Sequence, residues 1–345
     1  AALIMAFIFA RGQIVDAFKT FGSLNLIWLV LIIPIQIGNY FSVSKFYQSY
    51  LKSLGEKIRL WELYKVGLEM NFVNNVFPSG GASGFGYLSL RLKKLGVPGS
   101  KSALLQTSRH MLTFLSFIVY LLLALVLLSA FGSASRFIVL VATSLSSFIV
   151  FLTLVLIYII SSEERVTSFT AGIPKFINSV FGFFHKENKR LINIEKIEAL
   201  FKDLHKDYVQ VRKDWRSLRY PFFWALMMNF TEILTIFVVY LSFGELVNPG
   251  AIIVSYAVAN IAGLFAILPG GIGVYEGLMT GVMTSAGVRQ GLALSATVVY
   301  RVLNMGLFLP IGYFFYTRAL AEGDVPPESL KDATYDEDTL HIEDE

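Results

Sequence analysis

The sequence predicts an all-α polytopic membrane protein: an inverted-repeat helical bundle with two broken or re-entrant hairpins around a central polar cavity. Three observations carry that expectation. The 345 residues are 55% hydrophobic and only 16% charged, whereas a soluble domain carries about 25% charged residues. Several apolar stretches reach the roughly 20 residues that a bilayer-spanning helix needs. Two further apolar stretches, similar to each other, are interrupted by proline and glycine.

Taken in order, the chain opens on Ala1 to Ala10, which is apolar but too short to span. With no charged region ahead of it, this run reads as the end of a helix that starts earlier, not as a signal peptide. Five stretches are long enough to cross: Leu24 to Phe41, broken by Pro34, then Leu104 to Phe131, Phe137 to Ile160, Pro221 to Phe243 and Leu292 to Tyr316. The interrupted stretches are Val66 to Leu92, with Pro78, Gly80, Gly81, Gly84 and Gly86, and Ala251 to Ala286, with Pro269, Gly270, Gly271, Gly273 and Gly277. Proline removes a helix donor and glycine loosens the backbone. In lipid a broken helix is tolerated only where protein or a watery cavity satisfies the freed groups. Both stretches are therefore expected to be hairpins, with the Pro-Gly positions as hinges.

The organisation follows: a first transmembrane half over 1–160 with hairpin 66–92, a polar segment over 161–219, a second half over 220–317 with hairpin 251–286, and an acidic tail over 318–345. In the polar segment, Ile194, Ile197, Leu200, Phe201, Leu204, Tyr208, Val211, Trp215 and Leu218 recur at helical spacing with charges opposite. That pattern reads as an amphipathic helix on the membrane surface. The tail after Glu322 carries Pro326-Pro327 and lacks apolar periodicity, as disordered segments do.

Lysine and arginine accumulate in cytoplasmic loops. With 161–219 placed inside, 23 of the 29 basic residues fall inside and only Arg11, Lys19, Arg136 and Arg289 fall outside. Arg109 and Arg301 lie within apolar helices. The tail then ends in the cytoplasm.

The interrupted stretches look like copies. Pro78 and Pro269 lie 191 residues apart, as do Gly80 and Gly271, Gly86 and Gly277, Gly96 and Gly287, and Val97 and Val288; Arg109 and Arg301 match after one residue of slippage. The charge distribution puts the Gly96 turn inside and the Gly287 turn outside, so the copies are inverted. Inverted repeats with discontinuous helices meeting near the midplane are a common architecture of secondary transporters.

Ionisable side chains inside a bilayer cost about 2.5–3.5 kcal/mol each on insertion scales and mark function or pairing. Arg109, Arg301, Glu69, Glu232 and Glu276 lie in such segments, with Asn71, Asn74, Asn75, Asn229, Thr231, Asn260 and Asn304 nearby. The functional reading takes Arg109 and Arg301 as bidentate phosphate ligands. Glu69 and Glu276 balance them or engage a cationic group, and Asn71, Asn75, Asn260 and Asn304 line the site. The structural reading takes the same charges as buried salt bridges and the Asn and Thr residues as interhelical glue. There are no cysteines and only four histidines, so no metal site and no cofactor are expected. Phe77-Pro-Ser-Gly-Gly-Ala-Ser-Gly84 lacks the Gly-Lys-Ser/Thr ending of a nucleotide loop.

Two segments carry a family resemblance. Asn71-Phe-Val-Asn-Asn-Val-Phe-Pro-Ser-Gly-Gly81 followed by Gly96, and Leu268-Pro-Gly-Gly-Ile-Gly-Val-Tyr-Glu276 followed by Gly287-Val288 and Arg301, resemble the flippase-like transmembrane domain of lysylphosphatidylglycerol synthases. The resemblance covers nearly the whole chain. The second segment is the more specific, since the first has Phe-Pro where the family often has Leu-Pro. The resemblance implies a lipid-translocating protein in the cytoplasmic membrane of a bacterium or archaeon, with Glu276 and Arg301 in the central cavity. No aminoacyl-transfer domain follows the last helix in this sequence, so no lipid-synthesising activity carries over.

The expected function is that of a flippase-like transporter moving a phospholipid, glycolipid or polyprenyl-linked lipid between leaflets, and not that of an enzyme. The alternatives are a secondary transporter of a soluble solute and an intramembrane enzyme with Glu69 or Glu276 as acid/base. A membrane lipid is the expected partner and nucleic acid is not; a homo-oligomer is compatible with the sequence.

Overall fold

The computed structural model describes residues 24–76, 82–130, 136–170, 215–263 and 273–323, with isolated positions 202, 205 and 209. Most of the polar segment, the acidic tail from 324 and the run Ala1–Ala10 lie outside the described residues, as do the hinges Pro78, Gly80, Gly81, Pro269, Gly270 and Gly271. Every regular element among the described residues is a helix.

Helix α1 (Leu26–Ser53) starts at Asn25, whose side chain accepts from the Ile27 amide at 3.0 Å. It runs through Pro34 without a break, with the ring exposed. It also continues past Phe41, where the sequence alone ends the span. Val43, Phe46, Tyr47, Tyr50 and Leu51 are buried at helical spacing, and that inner face carries the helix on despite the polar residues between. The elements α2 (Leu60–Val76) and α3 (Ala82–Lys94) follow, then the long α4 (Gly99–Ala130) and α5 (Arg136–Ile160). After the polar segment come α6 (Arg219–Ser242), α7 (Pro249–Gly263), α8 (Val274–Ser285), α9 (Gln290–Gly306) and α10 (Leu309–Ala321). The last pair together makes up the span expected over Leu292 to Tyr316, with a break inside it. Pro310 has no amide to donate to the preceding turn, so the chain breaks at Leu307–Phe308 and restarts with proline in the first turn of α10.

Five segments are long and apolar enough to cross a membrane: Leu26–Ser53, Gly99–Ala130, Arg136–Ile160, Arg216–Ser242 and Gln290–Ala321, the last comprising α9 and α10. The intervening α2, α3, α7 and α8 have 17, 13, 15 and 12 residues. At 1.5 Å per residue they are roughly 18–26 Å long, short of an about 30 Å hydrocarbon core. Outward faces are apolar: Phe137, Leu140, Phe148, Phe151 and Leu154 of α5 are all exposed, as a lipid-facing helix requires.

Helices α1 and α6 lie antiparallel at the centre. The Asn25 amide donates to the Ser242 carbonyl at 2.9 Å at one end of the pair. Further along, Gln36 donates to Thr235 at 3.0 Å and Asn39 to Thr231 at 2.8 Å. Helix α6 reaches two other neighbours through Asn229, which donates to Ser116 of α4 and accepts from Tyr256 of α7 at 3.2 Å. Such interhelical bonds average about 0.6 kcal/mol each, and they set register as much as stability.

Two of the short helices pack across the halves: α2 on α10, and α7 on the long α4. Both contacts need glycine. A Cβ on Gly312 of α10 falls 2.4 Å from the Leu68 carbonyl oxygen of α2, and one on Gly250 of α7 falls 2.7 Å from the Ala124 carbonyl oxygen of α4. Gly312→Ala is expected to force α2 and α10 apart and to destabilise the protein by about 1–3 kcal/mol. Thermal unfolding in detergent measures this, and an unchanged midpoint would mean that the helices do not meet there.

Two turns recur. At Gly96-Val97 the Val97 amide donates to Leu92 at 2.9 Å and the Gly96 amide to Lys93 at 3.0 Å; at Gly287-Val288 the Val288 amide donates to Met283 at 3.1 Å and the Gly287 amide to Thr284 at 2.9 Å. Both glycines have φ near +90°, at 84° and 92°, which side chains disfavour. The turns Gly55-Glu56 and Gly244-Glu245 repeat the same pattern. Each of those glutamates then holds a cation near the start of a later helix, Glu56 with Lys101 at 2.7 Å and Glu245 with Arg289 at 2.8 Å.

Candidate functional site

A cavity of about 170 Å³ opens between α1, α2, α4 and α9. Its wall consists of Asn39, Tyr40, Val43 and Tyr47 from α1, Gly67, Met70, Asn71 and Asn74 from α2, Arg109 from α4 and Asn304 from α9. Four asparagines, two tyrosines and an arginine make it a polar pocket inside an apolar bundle.

Arg109 supplies its charge. Nη1 donates to the Tyr47 hydroxyl at 2.6 Å, and the guanidinium carbon lies 5.5 Å from the Tyr47 ring centroid. Among the described residues no carboxylate forms an ion pair with it. The phenol positions the guanidinium but does not neutralise it, so the cavity presents a positive charge and several amide groups.

The other expected site residues divide into three groups. Asn71 and Asn304 line the cavity with Arg109. Asn75 stands one turn beyond Asn71 on α2 and donates to its carbonyl and side-chain oxygens at 2.8 Å, so it acts by holding Asn71. Asn260 donates to the Tyr256 carbonyl one turn back at 2.8 Å and is not part of this wall.

The carboxylates Glu69 and Glu276 are each committed to an arginine. Glu69, 1% exposed, accepts from Arg91 Nε at 2.8 Å and Nη2 at 3.2 Å, and from the Tyr87 hydroxyl at 2.9 Å. Arg91, counted from sequence among the loop cations, is thus a buried ion-pair partner: α3 folds back on α2 and presents Tyr87 and Arg91, four residues apart, to Glu69. Glu276 lies in the first turn of α8 and accepts from the Gly273 amide at 2.7 Å and from Arg301 Nη1 at 2.6 Å. Gly273, the one hinge glycine among the described residues, starts α8 at φ 88°. Arg301 also lies over the Tyr275 ring, 4.9 Å from its centroid. Neither ion pair lines the cavity.

Sequence reading left Asn39, Tyr40 and Tyr47 out of the site. The signal was present: Asn39, Tyr40, Val43 and Tyr47 share one face of α1, and a polar side chain recurring at that spacing in an apolar helix marks an inward face. Glu232 was noted as an intramembrane charge but not placed in the site. It accepts from the Tyr300 hydroxyl at 2.8 Å and from Asn304, directly behind the cavity wall.

An apolar-surfaced helical bundle with five segments long and apolar enough to cross a membrane defines a polytopic membrane protein. Residues 1–312 match the model described as Lysylphosphatidylglycerol synthase TM region, and the chain belongs to that family. A UPF0104 membrane protein of Methanothermobacter thermautotrophicus is 24% identical over 262 residues, 74% of each chain. A UPF0104 membrane protein of Methanocaldococcus jannaschii is 22% identical over 297 residues, 86% of this chain and 85% of its own.

Proposed function

We propose that this protein is a lipid flippase-like transporter in which the Arg109 cavity receives a phosphate-bearing headgroup as the lipid passes between leaflets. The observation that carries the reading is a guanidinium among asparagines inside the bundle that pairs with no carboxylate among the described residues. A guanidinium matches phosphate oxygens in geometry and charge, and the amides offer bonds to glycerol or sugar hydroxyls. The acyl chains remain in the surrounding bilayer. Family membership supports a lipid-related role.

The same reading takes the two halves as inverted copies. The recurring turns, the antiparallel α1 and α6 and the exchanged packing of α2 on α10 and α7 on α4 support it. The short α2–α3 and α7–α8 pairs then enter as re-entrant hairpins from opposite faces. Lysine and arginine place 161–219 and the C-terminal tail on the cytoplasmic side of the cell membrane.

The test is translocation of headgroup-labelled lipids in proteoliposomes, compared between wild type and Arg109→Ala. Acceleration by wild type and loss in the variant support the reading. Equal rates in protein-free vesicles, or uptake of a water-soluble solute in place of lipid, would turn the assignment to a solute transporter.

A further inference from the structure

Glu232 lies midway along α6, a helix long enough to cross the membrane. Glu69 and Glu276 each hold an arginine, yet among the described residues no basic side chain forms an ion pair with Glu232. Its Oε2 accepts from Tyr300 at 2.8 Å and from Asn304. The titratable groups around it are phenols: Tyr40 from α1, Tyr256 from α7, Tyr275 from α8 and Tyr300 from α9. The nearest cation on α9, Arg301, is engaged by Glu276. On α4, Arg109 bonds Tyr47 and His110 is exposed. A carboxylate in that setting is a group that marks proton relays and ion pathways in membranes.

Asn304 joins this carboxylate to the cavity, because it lines the cavity with Arg109 and also bonds Glu232. An anionic headgroup on Arg109 and an ionised Glu232 would be two negative charges on either side of Asn304, inside the low-dielectric bundle. Their repulsion makes headgroup binding and protonation of Glu232 favour each other. The local donors suit both states. The ionised group accepts from Tyr300 and Asn304 through Oε2; the neutral acid keeps those bonds and carries its proton on Oε1.

We propose that Glu232 is the proton-coupling site of the transporter. It takes up one proton from the aqueous phase as a headgroup enters, and releases the same proton to the opposite side after the headgroup leaves. This rests on the cavity being the headgroup route, so the test has one readout that depends on lipid and one that does not.

The first readout is translocation of a labelled anionic phospholipid by the full chain in proteoliposomes under an imposed pH or sodium gradient. With one proton per lipid, a gradient of one pH unit sustains at most an about tenfold imbalance of labelled lipid between leaflets. Wild type is expected to build an imbalance under the pH gradient and none under sodium, and Glu232→Gln to build none under either. The second readout is infrared difference spectroscopy of reconstituted protein without labelled lipid. A carboxylic acid band is expected on acidification in wild type, absent in Glu232→Gln and displaced in its pH of appearance in Tyr300→Phe, which keeps the carboxylate should the glutamine variant fail to fold. A sodium-driven imbalance, a gradient response surviving in Glu232→Gln, or a band unaffected by both substitutions would each overturn the proposal. A wild type that moves no lipid but shows the band would defeat the lipid reading alone, since the proton on Glu232 is then still observed.

Discussion

Arg109→Ala is expected to slow headgroup translocation by roughly 10–100-fold, the equivalent of one charge-assisted hydrogen bond of about 1.5–3 kcal/mol. Folding should be spared. The partner that Arg109 leaves behind is a tyrosine hydroxyl at the cavity edge, not a buried carboxylate, so the loss of stability should stay within about 1 kcal/mol. Arg109→Lys keeps the charge but not the planar fork, and an intermediate rate is expected. Arg301→Ala should behave in the opposite way, because it strips Glu276 of its counter-charge in a nearly closed environment. Translocation rates and unfolding midpoints measured on the same preparations separate the two arginines. If Arg109→Ala transports at the wild-type rate, the cavity is not the headgroup route.

The second large effect concerns Glu69 and Arg91. Removing one member of a buried ion pair leaves an uncompensated charge and costs about 3–5 kcal/mol, whereas removing both can be nearly neutral. Glu69→Gln and Arg91→Met are each expected to lower the unfolding midpoint sharply, and the double variant to recover most of it. The Tyr87 hydroxyl, which also bonds Glu69, retains an acceptor in the glutamine. A double-mutant cycle on unfolding in detergent gives the coupling directly. Losses that simply add would mean that the pair contributes nothing as a pair.

The fold class was legible because bilayer-crossing helices announce themselves by length and hydropathy, and each of the five spans begins or ends within a few residues of the expected positions. The misses have physical causes. The extension of α1 past Phe41 depends on a buried face among polar residues, which a hydropathy window averages away. The break at Leu307–Phe308 follows from Pro310, which was read as part of a continuous span. The site was legible in residue type but not in pairing. Glu69, Arg109, Glu276 and Arg301 are conspicuous in the sequence, whereas Arg91 passes for one more cytoplasmic-side cation, and which carboxylate meets which arginine depends on how α3 folds on α2 and α9 on α8. No spacing rule supplies that. Arg109, the intramembrane arginine that meets no carboxylate among the described residues, is therefore visible only once the other pairs are drawn.

The two ion pairs tie together different members of the two short-helix pairs. Glu69–Arg91 welds α2 to α3, so the first Pro-Gly segment joins two arms already bolted together. Glu276–Arg301 welds α8 to α9 instead, and α7 stands on the far side of the second Pro-Gly segment with no charge of its own. The uncharged α7 is held instead by packing, on α8 and, through the close approach at Gly250, on α4, the helix that bears Arg109.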